Sequence, residues 1–223
     1  MEMKTILLLT PVDSIKGRIV IHSMLTSDFF RNYELIFGFE KTKGVNIDLI
    51  NGYRYIVVGK KIDKSKLPEY DILISCGWGW LISEKVINDA KIGAFNCHGS
   101  YLPDFKGSSA FFHYWANCMH FAGATIHYLT KKFDEGNIIF QEKVKIHIFD
   151  SYFDILRKQS EITAQMLPKA IQLVNEGFPG TIQEGGRYFF KLSPKRMRLY
   201  RLINCFFRII GSNRRIYTPH KLI

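Results

Sequence analysis

Cysteine is scarce in this chain, with four among 223 residues, at Cys76, Cys97, Cys118 and Cys205. No two are spaced as Cys-x-x-Cys and no Cys/His group has zinc-site spacing, so finger-type metal architectures are excluded. So few thiols do not make a disulfide framework. They read as small buried hydrophobes in a reducing compartment, and a cytoplasmic location is expected. Also missing is any run of the roughly 18 to 20 uncharged apolar residues that a membrane span needs. The N-terminal MEMKTILLLTPVD has only a short apolar run and no small-residue cleavage site, so a first buried strand is expected there and not a signal peptide. Acidic side chains are absent from one region altogether: Arg187 to Ile223 holds ten Lys and Arg and no Asp or Glu. The rest carries 21 basic against 20 acidic residues, so the net charge of +11 belongs to a tail. Nucleic-acid binding therefore does not follow from the basic composition, and no nucleic-acid partner is expected.

What is present is a core. Apolar residues make up 47% of the chain, enough for one domain of ordinary size plus an appendage. Short apolar runs at Lys4–Thr10, Tyr33–Phe39, Tyr55–Val58, Ile72–Ser75 and Gly93–Cys97 read as strands. Helical spacing separates several of them: Ser14–Phe29, with Ile15, Ile19, Met24 and Leu25 facing inward, and Leu81–Ala90. Strands alternating with helices predict an α/β domain with a mostly parallel sheet. A helix is expected over Gly107–Asn117, and a pair of strands over Ala124–Thr130 and Asn137–Ile146. Ser151 to Asp154 reads as a capping box that opens a helix to about Glu176, stopped by Gly177. Its inner face would be Phe153, Leu156, Thr163, Met166, Leu167, Ala170 and Val174, with a kink at Pro168. The glycine cluster at 177–186 marks a boundary between residues 1–180 and a basic appendage, 181–223.

Asn96 and His98 stand two apart at the end of a predicted strand, so both side chains share one face. In open α/β sheets ligands bind beyond the carboxyl ends of the strands. Asn-x-His alone also suits a capped turn and a half-buried histidine. Its surroundings are more specific: FNCHGSYLP over 95–103, Lys106-Gly107, then GATIH over 123–127 and DEGNI over 134–138. Gly77-x-Gly79 does not complete a dinucleotide fingerprint, because Ile82 holds the third glycine position.

These linked stretches, in this order, resemble the formyltetrahydrofolate-dependent formyltransferase family, including its nucleotide-sugar branch. The resemblance is strong from about Ile72 to Ile146, and it implies a Rossmann-like catalytic domain. It further implies 10-formyltetrahydrofolate as co-substrate, no metal, and Asn96, His98 and Asp134 as catalytic residues. In that chemistry an amine attacks a formyl carbon and loses a proton while negative charge builds on the formyl oxygen. His98 can accept the proton or stabilise the charge, Asn96 can donate to the oxygen, and Asp134 can hold the imidazole. By the same resemblance the folate would be held by Cys76, Gly77, Trp78, Gly79, Trp80, Leu81 and Ile82, and by Tyr128, Leu129 and Lys132. Trp78 and Trp80 suit a core equally well. Ser100, Tyr101, Lys106, Gly107 and Ser108 would face the acceptor, and His127, which matches a family position but sits mid-strand, reads as a packing residue or one that supports the catalytic group from behind.

The acceptor is narrowed by what is missing. Relatives acting on glycinamide ribonucleotide carry a glycine-rich turn after the first strand; here it reads TPVDSIKG. Relatives acting on methionyl-tRNA carry a long C-terminal domain, and about 40 residues follow Gly180 here. The resemblance then implies a nucleotide-linked amino sugar, such as a dTDP-amino-dideoxyhexose of O-antigen lipopolysaccharide. The alternatives are another amine, or a folate-binding relative without catalysis. The tail has a strand-like Tyr188–Leu192, expected in a final hairpin. A helix follows, with Leu199, Leu202, Ile203, Phe206 and Ile210 in register and Arg198, Arg201 and Arg208 interleaved. It reads first as a homodimer contact, and otherwise as a phosphate-binding element, a peripheral membrane contact, or a packed helix with a solvated basic face.

Overall fold

The computed structural model describes residues 3–41, 43 and 48–222. In chain order these form β1 (Lys4–Leu9), α1 (Ile15–Thr26), β2 (Tyr33–Phe39), β3 (Arg54–Val57), β4 (Ile72–Cys76), α2 (Glu84–Ile87) and β5 (Gly93–His98). Then come β6 (Lys106–Gly107), α3 (Ala110–Ala116), β7 (Phe121–Tyr128), β8 (Ile138–Lys145) and α4 (Tyr152–Asn175). The appendage adds β9 (Arg187–Phe189), α5 (Pro194–Ile209) and β10 (His220–Leu222); its last residue, Ile223, lies outside the described residues.

The main sheet has seven strands in the order β3-β2-β1-β4-β5-β7-β8. The first five are parallel, and β7 and β8 run antiparallel. Both faces are covered, which is why the strands read as continuous apolar runs. Ile6 and Leu8 of β1 pack with Val20, Ile21 and Met24 of α1 and with Leu167 and Ile171 of α4. Leu7 and Leu9, pointing the other way, pack with Leu73, Ile82 and Val86. The chain thus leaves β1 over one face and β4 over the other, which opens a crevice at their carboxyl ends.

Several boundaries differ from the sequence expectation. Ser14 caps α1 by accepting from the Gly17 amide, but the helix is turned from the expected face. A Cβ on Gly17 would lie 2.0 Å from Thr10 Oγ1, so the helix meets β1 edge-on through this glycine. That contact buries Val20 and Ile21 and turns Ile15 outward into the crevice. The helix expected over Leu81–Ala90 is a single turn after Ser83, because Leu81 and Ile82 belong to the crevice wall. The helix expected from Gly107 begins at Ala110, since Lys106 and Gly107 pair with β9 as β6. The Ser151/Asp154 capping box is formed, and α4 runs on through Pro168. Phe153 is exposed where an inner position was expected, and Ile155 and Gln159 are buried in its place. The expected final hairpin is an antiparallel β9–β10 pair with α5 in its connection.

Candidate active site

Asn96 and His98 project from the end of β5 into a cavity of about 590 Å³ at the crevice. Asp134 arrives from the β7–β8 connection in a left-handed conformation, φ +56°. Asp tolerates that region better than most residues, and such strain persists only where neighbours enforce it. Here they do. The Asp134 carboxylate accepts the Gly107 amide at 2.8 Å, and its carbonyl accepts Gln183 Nε2 at 2.9 Å. Two residues on, a Cβ at Gly136 would fall 1.8 Å from the Tyr128 carbonyl oxygen, so the loop closes only with glycine there.

The partners fix the proton positions. His98 Nε2 lies 3.0 Å from the Phe105 carbonyl, which can only accept, so Nε2 carries the hydrogen. The free lone pair is then on Nδ1, 3.3 Å from Asp134 Oδ1. His127 Nδ1 donates to the Tyr128 carbonyl at 2.9 Å, leaving Nε2 to accept from Asn96 Nδ2 at 3.2 Å. The same Nε2 lies 3.5 Å from Asp134 Oδ1. Burial works against the charged form of His98 and Asp134 alike. It takes His98 below the ordinary histidine value despite the carboxylate beside it, with His127 and Lys16 adding to the depression. For Asp134 burial is overcome: at low pH, where His98 is an imidazolium, that charge, the contact with His127 and the Gly107 N–H hold its carboxyl well below the usual range. The resting site is therefore a neutral imidazole facing an ionised carboxylate.

Much of the motif between these residues is a clamp on the loop after β5. Thr125 Oγ1 donates to the Ser100 carbonyl and accepts the Leu102 amide; Gln141 Nε2 holds the Leu102 carbonyl. Gln159, deep in α4, donates to Gly99 and Gly123 carbonyls. Five expected contact residues accordingly point elsewhere. Ser100 is fully buried, with its hydroxyl on the Asp104 carbonyl, and the Tyr101 ring lies under Lys143. Lys106 is buried with Nζ on the Gly185 carbonyl, and the Tyr128 hydroxyl donates to Phe178. Cys76 is in the core, where alternation along β4 turns it from the crevice. Gly77 to Ile82, Leu129, Lys132, Gly107 and Ser108 do line the cavity, beside the three catalytic candidates.

Other wall residues escaped the sequence reading. Lys16 is buried at the start of α1, with Nζ 2.6 Å from the Cys97 carbonyl. Its neighbour Ser14 was legible as a cap, but nothing in sequence placed either beside His98. His127, expected as a packing or supporting residue, stands in contact range of both Asn96 and Asp134, and a β-bulge between Ile126 and His127 re-aims it. Tyr188 comes from the appendage. Around it Arg187 forms a bidentate pair with Asp104, and Phe189 stacks on Phe105 at 4.4 Å. The appendage thus braces the loop whose Phe105 carbonyl holds His98.

A mostly parallel sheet with a switch-point crevice, and an Asn–His–Asp group beside its strand ends, form a Rossmann-type ligand site. The family model described as formyl transferase matches residues 59–171, half of the chain, and the protein belongs to that family. Methionyl-tRNA formyltransferase of Mycoplasmopsis pulmonis is 30% identical over 137 residues, 61% of this chain and 47% of that protein. The chain thus spans less than half the length of this curated relative. Among solved structures, glycinamide ribonucleotide transformylase 1 from Symbiobacterium toebii superposes with TM-score 0.66 at 20% identity, over 82% of this chain and 95% of that one. The formyltransferase PseJ from Anoxybacillus kamchatkensis, in complex with UDP-4,6-dideoxy-4-formamido-L-AltNAc and tetrahydrofolate, is 25% identical with TM-score 0.57. That match covers 88% of this chain and 90% of PseJ.

Proposed function

We propose that the chain is an N-formyltransferase that moves a formyl group from 10-formyltetrahydrofolate to the amine of a nucleotide-linked amino sugar. The observation that carries the reading is the Asn96–His98–Asp134 group at the edge of an apolar-walled cavity. That wall suits a flat heteroaromatic ring: Trp78, Trp80, Leu81, Ile82 and Leu129 line it. Trp78 is buried there, and its Nε1–H has no acceptor within the protein. These residues would hold the folate, which supplies an already activated formyl group.

The chain's own groups divide the remaining work. One Asn96 N–H is occupied by His127 Nε2, leaving the other to meet negative charge growing on the formyl oxygen. His98 Nδ1 takes the proton from the attacking amine. The imidazolium so formed has an acceptor at each nitrogen, the Phe105 carbonyl and the Asp134 carboxylate. The sugar acceptor is supported by the sequence TPVDSIKG after β1, where Lys16 offers a cation in place of a glycine pair. The sugar nucleotide in the PseJ complex supports it as well.

The test is tetrahydrofolate release with 10-formyltetrahydrofolate and a panel of dTDP- and UDP-linked amino sugars, alongside glycinamide ribonucleotide and methionyl-tRNA. Turnover with a sugar nucleotide is expected. Turnover only with one of the other two would replace the acceptor, and none with any amine would refute the enzyme.

His127 is a positioning residue in this scheme. His127→Phe removes the acceptor that orients the Asn96 amide, so kcat is expected to fall about tenfold, the scale of one misplaced hydrogen bond, with little change in KM. His127→Gln keeps an acceptor oxygen and should recover part of the loss. Equal kcat in wild type and His127→Phe would remove His127 from the site.

A further inference from the structure

Helix α5 is amphipathic and packs the unexpected way round. Its inward side is Met197, Arg201, Asn204 and Arg208. Asn204 bonds the carbonyls of Ala116 and Ile216 and the Ile216 amide. Arg201 donates to the carbonyls of Trp115 and Ile148, and Arg208 to that of Met119. At 100° per residue the opposite stripe is Leu199, Leu202, Phe206, Ile209 and Ile210. All five are exposed, Leu202 at 71%, Ile209 at 73% and Phe206 at 60%. Phe149, 94% exposed, follows Ile148, whose carbonyl Arg201 holds on the inner side of this helix. A contiguous apolar stripe in water marks a contact surface.

Charge selects what covers it. Lys195, Arg196 and Arg198 precede or interleave the stripe, Arg214 follows it, Lys191 lies just after β9 and Lys221 within β10; all six are exposed. Among the described residues none of the six has a carboxylate within ion-pair distance, and no acidic residue occurs from Arg187 onward. A second copy of the chain would set this cationic surface against itself. A nucleic acid would match the charge but leave Leu202 and Ile209 in water. An anionic bilayer satisfies both parts: cations meet headgroup phosphates while Leu, Phe and Ile enter the acyl boundary. Among the described residues no helix is long and apolar enough to cross a membrane, so the contact is along the surface.

We propose that the outer stripe of α5, with a basic rim around it, seats this protein on an anionic lipid surface. The proposal does not depend on the acceptor assigned above.

The experiment is co-sedimentation of the full chain with vesicles of phosphatidylcholine alone or mixed with phosphatidylglycerol. Binding to the mixed vesicles is expected, at least about a hundredfold tighter than to neutral ones and weakened by salt. The double variant Leu202→Ser with Phe206→Ser should weaken it about tenfold or more. Its thermal midpoint and its formyl transfer without vesicles should stay unchanged, since both side chains already face water. Lys195→Gln with Arg198→Gln should lower binding to mixed vesicles only. Equal partition into both vesicles, or into neither, would overturn the proposal. So would a dimer in sedimentation velocity that the Leu202/Phe206 variant abolishes, or capture by single-stranded RNA with no vesicle binding.

Discussion

Replacing Asp134 with Asn is expected to lower kcat by about 10²–10⁴, the range that a placed acid–base group contributes. The side chain keeps its shape and can still accept the Gly107 amide through its carbonyl oxygen, so the loss falls on the charge. In the wild type an imidazolium at His98 meets a carboxylate 3.3 Å from Nδ1; in the variant it meets a neutral amide. The pH profile separates this role from a structural one. Burial already holds the His98 imidazole below the ordinary value of 6.5, and Asp134 opposes that depression. The acid limb of kcat/KM for the wild type should therefore lie below about pH 6.5, where protonated His98 cannot take the amine proton. Without Asp134 the limb should move to lower pH still, on a lowered plateau. An unmoved limb, or a plateau within a factor of about three of wild type, would remove Asp134 from the mechanism. Stability has its own sign. The Asp134 carboxyl is depressed in the folded state, so its contribution is present above an unfolded value of about 3.9 and is lost as pH falls through the folded value. Acid titration of the wild type, but not of Asp134→Asn, should show that component.

Asn96→Ala should cost about 10²–10³ in kcat, the scale for loss of one preorganised donor to developing negative charge. Its N–H is aimed in advance because His127 accepts the amide's other hydrogen, so no reorientation is needed when charge develops. The loss should appear in kcat with KM nearly constant, since the donor matters most after the formyl oxygen becomes negative. Asn96→Asp would be worse than alanine, because it sets a second carboxylate near Asp134 and against the growing charge. A KM effect with normal kcat would recast Asn96 as a binding residue.

The sequence carried a good deal of this site, for identifiable reasons. Period-two alternation placed Asn96 and His98 on one face, and Asp134, 36 residues beyond His98, reaches them because β7 returns antiparallel beside β5 and the loop after β7 folds back onto the same strand end. The capping box at Ser151 was legible because both partners lie within four residues. Ser100 and Lys106 were misassigned because motif membership does not say whether a residue touches a ligand or braces the loop that does. Their partners, Asp104 and Gly185, set that role through hydrogen bonds to carbonyls. Lys16 and Tyr188 were invisible because the tertiary fold alone brings α1 and β9 to the crevice.

Local pattern thus determined the parallel sheet and the position of the crevice, because alternation, capping and turn chemistry act over a few residues; the candidate trio of Asn96, His98 and Asp134 came from linked motifs that resemble a family. The tertiary structure alone decided which tautomer His98 carries, that His127 orients Asn96, and that the appendage holds the Phe105 carbonyl in place. It also decided which side of α5 is inside. Periodicity identifies an apolar stripe but not its direction, and here the carbonyls of α3 and its flanking loops, needing donors, drew Arg201, Asn204 and Arg208 inward and left the stripe in water.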